Sequence, residues 1–590
     1  MDEKAEWDGD NMNRIGVFLC HCDLNVLGNI DLQKVIDGIS QHESVAYATY
    51  CRDMCLDLGL ESVQKSIQEE NLEGVVLTSC SEALHRDAFV EAMGTVGLQL
   101  HQLNIVDLKQ VCGWPHSYQG EEATMKAIDA LSSSVDDLKR QISTSVSSVP
   151  VIKRALVIGA GIAGIQASLD IADGGYEVVL VEKTSSVGGH MIQYSEVFPT
   201  LDCPQCIETP KMVEVGQHPN IKLYPYSEVE SVEGEAGNFS VTIRKKASYV
   251  DWDKCNGCGV CQQKCPTIVP SEFERNLPFG PRRAIYIPFA QAVPNKPVLD
   301  REHCGHFTTG LCQVCLKTCP REAIDFDQVD TFVEEQVGAI VIATGFELLP
   351  KSEVPEYAQD QDILEGIEFE RILCPGGPTA GEVIRPSDGK SPKEVVFVGC
   401  CGSRDPEHGV PYCSRVCCMY LTKMALLYKH AVHDGQAYMC YIDLRTTGKG
   451  YEDFVQRAVE EYGLLYLRGK VSKIFREGEK IKVLGADTLT GNSVEISCDM
   501  VVLGMAMMPS PGIKDLANKL GVKTDEFGFI SEVHLKLHPL ETSVPGIFVC
   551  GTAQGPKDIP DSVSQGGAAA SKVLGLFSKD ELTVQKVAVG

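Results

Sequence analysis

Arg154–Lys183 reads RALVIGAGIAGIQASLDIADGGYEVVLVEK, and this stretch decides the fold. Five residues, RALVI, give an apolar strand that ends at Gly159. Gly159, Gly161 and Gly164 make a tight turn, an amphipathic helix follows, and a second apolar strand closes at Glu182. A glycine-rich turn alone is weak evidence, since it also serves as a turn with no ligand. The complete strand, turn, helix and acidic strand end form a dinucleotide-binding unit. The glycines let backbone approach a pyrophosphate at the helix N-terminus, and Glu182 is placed to bond a ribose hydroxyl.

Three further pieces extend this unit: Gly188-Gly189, AIVIATGF at 339–346 with Thr344-Gly345, and GIFVCGTAQGPKDIPDSVSQGGAAA at 546–570. Together they resemble the two-dinucleotide-domain flavoproteins of the thioredoxin reductase-like family, which selects FAD over NAD. By that resemblance Gly551 and the helix start within 561–571 meet the flavin. Ala163, Lys183, His190 and Ser562 complete the cofactor-binding set, and Lys557 is the catalytic candidate that tunes the ring, because a nearby cation favours its anionic reduced form.

Members of that family carry a second glycine-rich turn in mid-chain for a nicotinamide dinucleotide. Here the matching strand, EVVFVG, runs into CCGSRD at 400–405, so cysteines occupy the phosphate turn. YCSRVCCMYLTKMALLYK follows at 412–429, with Cys413 and Cys417 read as one helical turn apart on one face. Cys400, Cys413, Cys417 and Cys418 are therefore a candidate thiolate site for iron–sulfur. A reducible disulfide or uncoordinated thiols is the competing reading.

Between the two halves of the flavin unit, Cys255, Cys258, Cys261 and Cys265-Pro266 reproduce the C-x-x-C-x-x-C-x-x-x-C-P run of bacterial ferredoxins. A second run consists of Cys304, Cys312, Cys315 and Cys319-Pro320, with a longer first gap. In such runs the fourth cysteine reaches the other cluster. This assigns Cys255, Cys258, Cys261 and Cys319 to one 4Fe–4S cluster, and Cys304, Cys312, Cys315 and Cys265 to its neighbour. Zinc is the alternative, disfavoured because paired zinc sites rarely use eight thiolates with Pro after each run.

At the front of the chain, IGVFL, VAYATY, GVVLTS and LHQLNIV alternate with amphipathic stretches, the pattern of a parallel sheet with crossover helices. Cysteines follow each run: Cys20 and Cys22, Cys51 and Cys55, Cys80, then Cys112. Parallel strands place those ends on one edge, where open α/β sheets bind ligands. Cys22, Cys55, Cys80 and Cys112 are the preferred ligands of one more cluster, with Cys20 as the alternative to Cys22. Scattered buried thiols are the bland reading. Residues 121–140 read as one helix, and STSVSSVP, closed by Pro150, as a Ser-rich linker.

The fold class is α/β, with an N-terminal parallel-sheet cluster domain, a two-dinucleotide-domain core and an inserted two-cluster ferredoxin domain. The boundaries expected are 1–120 for the N-terminal iron–sulfur domain, 121–150 for helix and linker, and 151–245 for the first part of the FAD domain. The ferredoxin occupies 246–330, the FAD domain continues over 331–392, the altered nucleotide domain spans 393–510, and 511–590 returns to the FAD domain.

Composition fits a chain of several domains: 590 residues, 44% of them hydrophobic. The net charge of -28 repels phosphate backbones and anionic lipid, which argues against nucleic acid and membrane surfaces as partners. No apolar run is long enough to span a bilayer, and the N-terminal segment lacks a basic stretch followed by an apolar core. Twenty-five cysteines without an export signal point to metal and to the cytoplasm. Cys203-Pro-Gln-Cys206 stays open between a redox dithiol, ligands to a further metal and inert thiols.

CHCDLNVLG, TSCSEALHRDAF, CGWPH, VGGHMIQYSEVFPTLDCPQCIETPKM, IPFAQAVPNKP, PYCSRVCCMY and GPKDIPDSVSQ resemble the A-type subunits of heterodisulfide reductase across nearly the whole chain. The resemblance implies FAD and about four 4Fe–4S clusters in a subunit tied to methanogenesis. It implies electron input from a hydrogenase or formate dehydrogenase module, with one electron passed to ferredoxin and the other towards a disulfide on B- and C-type subunits. A dimer of a hetero-oligomeric complex is expected. The alternatives are a linear relay in a benzoyl-CoA reductase-type or quinone-interacting complex, an NAD(P)H-driven dithiol oxidoreductase using Cys203 and Cys206, and an assembly scaffold with structural clusters. Two departures from many members are a chain ending soon after KVLGLFSKDELTVQKVAVG, where they carry another ferredoxin domain, and Cys401 as an added thiol.

Overall fold

This computed structural model describes residues 14–21, 30–79, 81–140, 144–354, 357 and 360–587. The chain forms two compact units, Val149–Leu582 on the one hand and the residues through Ser148 with those from Thr583 on the other.

In the unit through Ser148, four strands pair in the order Val45–Cys51, Ile15–Cys20, Gly74–Thr78, Leu103–Val106, all parallel. Ile15–Cys20 and Gly74–Thr78 are buried along their whole length, as central strands covered on both faces must be. Alternation along Ile15–Cys20 splits the core. Ile15, Val17 and Leu19 pack with the helix Gly120–Arg140 on one face, whereas Phe18 and Cys20 pack with Met54, Val63 and Phe89 on the other. The Ser-rich stretch read as a linker is instead a strand, Thr144–Pro150, paired with Glu581–Val587. Its Thr and Val residues favour extended backbone, and only Pro150 acts as a stop.

Val149–Leu582 holds two copies of one architecture with a ferredoxin-like insertion. The first five-stranded parallel sheet has the order Ile547–Val549, Ala339–Ile342, Arg154–Ile158, Glu177–Val181, Ile221–Tyr224. An antiparallel three-stranded sheet of Ser227–Glu235, Asn238–Lys245 and Thr331–Val337 accompanies it. The second parallel sheet has the order Ile363–Glu365, Met500–Met505, Glu394–Cys401, Gln436–Tyr441, Leu465–Arg468. Its antiparallel companion is Val471–Glu477, Lys480–Asp487 and Asn492–Cys498. Sequence reasoning placed 331–392 with the FAD domain, yet the strand Ile363–Glu365 and the helix Gly366–Leu373 pack in the second core, with Leu364, Phe369 and Ile372 buried against Phe397 and Val502. A three-residue strand is too short to show periodicity.

The insertion consists of short helices, Val260–Lys264 and Val314–Thr318, and two-residue strand pairs. It is packed onto the first core through Phe273, Phe289 and Val293. Arg371, nearly fully buried, fastens it by a two-pronged ion pair to Glu274 at 2.8 and 3.1 Å and by lying over the Phe273 ring. Among the described residues no helix is long and apolar enough to cross a membrane.

Candidate redox-cofactor sites

At the first parallel sheet, Gly159 ends its strand at φ +101°, and a Cβ there would stand 2.4 Å from the Ala343 carbonyl oxygen. Only glycine fits, so the turn can press against the strand end that precedes Thr344. A Cβ on Gly164 would lie 1.9 Å from the Gly159 carbonyl, which holds the helix Ile162–Asp173 against the turn. Gly161 differs: the nearest atom to its would-be Cβ is Gly189 Cα at 3.9 Å, leaving an open approach at the helix N-terminus. The dipole and free amide groups of that terminus suit a phosphate.

Glu182 is buried at the end of the second strand. Its carboxylate accepts from the Ala160 amide at 2.7 Å and from the Thr184 amide and hydroxyl at 2.9 and 2.8 Å. Three donors on a carboxylate with about four acceptor positions leave room for a ribose hydroxyl. Thr344 Oγ1 and His190 Nδ1 are buried and lack partners among the described residues, as atoms awaiting a polar ligand would. The His190 ring stacks on Phe346 at 4.5 Å and donates from Nε2 to the Phe346 carbonyl at 2.9 Å, while burial pushes its pKa down. Gly188 and Gly189 both have positive φ, whereas Lys183 is exposed. These features fit a bound dinucleotide flavin.

The late segment joins this cradle. A Cβ on Gly551 would lie 2.8 Å from Ala163 Cβ and 3.9 Å from Ser562 Cβ. The helix Ile559–Phe577, capped by Asp558, crosses Ile162–Asp173 closely at Gly566, where a Cβ would meet the Ala163 carbonyl at 2.6 Å. Gly345 takes φ +74° in the turn after Ala339–Ile342. Lys557 lies beside the Gly551 turn and donates to the Gly555 carbonyl at 3.4 Å. Burial pushes its pKa down to about 8, with Glu532 opposing and Arg415 assisting.

In the insertion, Cys255, Cys258, Cys261 and Cys319 line one small cavity, walled by Pro297 and Pro320. Cys265, Cys304, Cys312 and Cys315 line a second, with Pro266 at its edge. Each cavity draws its fourth thiol from the other run, the exchange expected from the sequence. Burial pushes the Cys261 thiol up to about 11 and Cys315 up to about 12, so a lone thiolate there is costly and a cationic iron core offsets the cost. Thiols spaced around a cavity suit a polynuclear cluster better than zinc.

At the second sheet, Cys400 takes φ +60° at the end of Glu394–Cys401, a conformation usually left to glycine. The chain then folds back sharply. Val410 donates to the Gly402 carbonyl at 2.8 Å, Arg404 donates to the Tyr412 carbonyl at 2.9 Å, and the Ser403 and Ser414 hydroxyls meet at 2.6 Å. This return brings Cys413 beside the turn. Cys417 and Cys418 open the helix Cys417–Ala431, and the Cys417 thiol bonds both Cys400 and Cys418. Those bonds pull the pKa of Cys400 down, and that of Cys418 down to about 7. Arg404 faces Cys400, Cys413 and Cys418, a cation suited to clustered thiolates. The reading of Cys413 and Cys417 as one helical turn apart needs correction: Cys413 precedes the helix, because Arg415 takes φ +64° and Ser414 is tied to Ser403 and to the Met507 amide. Cys400, Cys417 and Cys418 meet at the strand end, and the fold-back loop carries Cys413 to the side of Arg404.

The N-terminal set is brought together less completely. Cys20 and Cys51 pair in register at adjacent strand ends, as expected of a parallel sheet. Cys55, however, packs with Phe18 and Met54 on one face, whereas Cys112, fully buried in the turn Lys109–Gly113, packs with Leu19 and Leu131 on the other. Cys22 and Cys80 lie outside the described residues.

Sequence reasoning missed Glu370 and Lys423, a buried ion pair whose carboxylate also accepts from the Ser195 amide at 3.0 Å and hydroxyl at 2.7 Å. It also missed Arg404 and Glu208, the latter buried with both carboxylate oxygens unpartnered among the described residues. A single charge in an apolar run was the only signal available for either lysine or glutamate.

The FAD binding domain family matches residues 154–196, and the 4Fe-4S binding domain family matches residues 248–267. A thioredoxin reductase from T. acidophilum aligns with 72% of this chain and 100% of its own at 15% identity and a TM-score of 0.41. The A-type subunit of the H(2):CoB-CoM heterodisulfide,ferredoxin reductase of Methanothermobacter thermautotrophicus is 40% identical over 97% of this chain and 86% of its own. The first A-type iron-sulfur subunit of the CoB--CoM heterodisulfide reductase of Methanopyrus kandleri is 42% identical over 97% of this chain and 86% of its own. The chain belongs to the family of A-type iron–sulfur subunits of heterodisulfide reductase and is an oxidoreductase subunit that carries FAD and 4Fe–4S iron–sulfur.

Proposed function

We propose that this chain is the flavin-based electron-bifurcating subunit of a heterodisulfide reductase-type complex, receiving electrons from a hydrogenase or formate dehydrogenase module and dividing them between ferredoxin and a B- and C-type disulfide-reducing unit. The observation that carries this reading is the second dinucleotide-type domain, where Cys400 closes the strand that would otherwise hold a nicotinamide phosphate and Cys417 and Cys418 lie beside it. Electrons therefore reach and leave the flavin through thiolate-held clusters. The name of the Methanothermobacter relative, which couples hydrogen, heterodisulfide and ferredoxin, supports the same reading.

FAD supplies the exchange between a two-electron donor and one-electron carriers. The protein's part is positional. Gly159, Gly161 and Gly164 admit the pyrophosphate, Glu182 orients the ribose, and Thr344 and His190 offer buried partners to the rest of the cofactor. Lys557 is placed to set the charge beside it. Cys255, Cys258, Cys261 and Cys319 hold one cluster, and Cys265, Cys304, Cys312 and Cys315 its neighbour. The N-terminal set Cys22, Cys55, Cys80 and Cys112, of which Cys55 and Cys112 stand on opposite faces of their sheet, is the fourth candidate in a count of about four clusters and about sixteen irons.

The test is anaerobic purification of the native complex with its other subunits identified. Ferredoxin reduction should require a higher-potential disulfide acceptor, and neither NADH nor NADPH should bleach the flavin of the isolated chain. Equal ferredoxin reduction without the acceptor would favour a linear relay, and rapid bleaching by a nicotinamide would revive the dithiol oxidoreductase.

A further inference from the structure

The helix Pro204–Gln217 begins with two thiols that neither ferredoxin cavity nor the Cys400 turn absorbs. Of the described cysteines, Cys203, Cys206 and Cys258 are exposed, and Cys258 lines a ferredoxin cavity. Cys203 caps the helix: its Sγ accepts the Cys206 amide at 3.3 Å. The Cys206 thiol also donates to that same sulfur, a bond that pushes the Cys206 pKa up. The pair is therefore asymmetric. Cys203 receives the Cys206 amide and the positive end of the helix dipole, and Cys206, one turn in, receives neither.

The frame around the pair is fixed. Pro204 presets the first helical residue, and Gln205 ties the turn down by donating to the Ile192 carbonyl at 3.2 Å and to Cys374 Sγ at 3.4 Å. Further along the helix, Met212 packs under the Gly188 loop, with Sδ 3.2 Å from where a Gly188 Cβ would stand. The dithiol thus faces solvent from a rigid wall of the FAD domain.

We propose that Cys203 and Cys206 form a reversible dithiol–disulfide couple that exchanges with disulfides arriving from solvent, Cys203 attacking and Cys206 resolving. The Cys203 thiolate attacks one sulfur of R–S–S–R′, forming Cys203–S–S–R and releasing R′–S⁻, which takes up a proton. Cys206 gives its proton to solvent and attacks Cys203 Sγ, the Cys203–Cys206 bond forms, and R–S⁻ leaves and is protonated. One disulfide has become two thiols, and the two electrons come from the Cys203–Cys206 dithiol. The activity needs neither the flavin nor the clusters, and stands or falls apart from bifurcation.

The experiment uses the full-length holoprotein under anaerobic conditions, equilibrated with mixtures of reduced and oxidised glutathione and read by peptide-resolved mass spectrometry after alkylation. Cys203 and Cys206 should lose their thiols together as one two-electron couple. Cys206→Ser should trap one glutathione on Cys203, and Cys203→Ser should trap it roughly tenfold more slowly on Cys206. Iron and FAD measured on the same samples should match wild type in both variants. Equal trapping in the two variants, absence of the internal disulfide in wild type, or loss of iron from either variant would overturn the proposal, the last by making the pair metal ligands.

Discussion

The exchange of ligands between the two ferredoxin runs makes a quantitative prediction. The cavities pair Cys255, Cys258 and Cys261 with Cys319, and Cys304, Cys312 and Cys315 with Cys265. If each run instead held its own cluster, Cys265 would belong with Cys255 and Cys319 with Cys304. Single alanine variants cannot distinguish these arrangements, since either removes one cluster. Double variants can. With crossed ligands, Cys265→Ala combined with Cys304→Ala strikes one cluster and should cost about four irons of about sixteen, whereas Cys265→Ala with Cys255→Ala strikes both and should cost about eight. Uncrossed ligands reverse the two losses. The lining Ala284, Ile285 and Leu299 belong to the packed core of the insertion, so losing one cluster should leave its neighbour bound. Anaerobic iron determination with EPR of the reduced protein checks this, with FAD per chain as an internal standard. A Cys255/Cys265 double variant losing only about four irons would refute the assignment.

Three other outcomes follow from buried geometry. Gly159→Ala, forced to φ +101° and 2.4 Å from the Ala343 carbonyl, should cost about 1–3 kcal/mol and release FAD, read as flavin per chain; full occupancy with an unchanged melting point would contradict the turn geometry. Burial holds Lys557 at about 8, below the ordinary 10.5, so the unfolded chain binds the extra proton between those values and stability should rise with pH across that window, by roughly 3 kcal/mol at most. Thermal melts of Lys557→Met should lack that rise; a parallel pH dependence in both proteins would disprove it. Glu370→Ala strands the buried Lys423 ammonium and should cost about 3–5 kcal/mol in chemical unfolding, whereas Glu370→Leu with Lys423→Met should cost much less; equal losses would show that the pair is not electrostatically coupled.

Much of this architecture is written in local sequence, and the reason is range. The turn at Gly159, Gly161 and Gly164 and the acidic strand end at Glu182 lie within one strand–helix–strand unit, so their spacing states their contacts. The ferredoxin runs likewise carry their ligand geometry in tetrapeptide spacing. The parallel N-terminal sheet is legible because buried strands are nearly pure apolar runs.

Other features depend on contacts between distant residues. Cys413 and Cys417 have helical spacing, yet the backbone at Arg415 turns left-handed, and Cys413 comes near Arg404 only because Ser403, Arg404 and Val410 fold the loop back onto the strand end. Thr144–Pro150 carries linker composition and becomes a strand because Glu581–Val587 supplies its partner. Ile363–Glu365 joins the second sheet through pairing with Met500–Met505, across a separation that no local pattern spans. Glu370 meets Lys423 for the same reason. Sequence determined the cofactor-binding turns, the cluster motifs and the fold class, because each is a short-range constraint on backbone or ligand spacing. Tertiary structure alone decided how the mid-chain thiols approach one another and which buried charges are paired, because those contacts are set by how the sheets and loops pack.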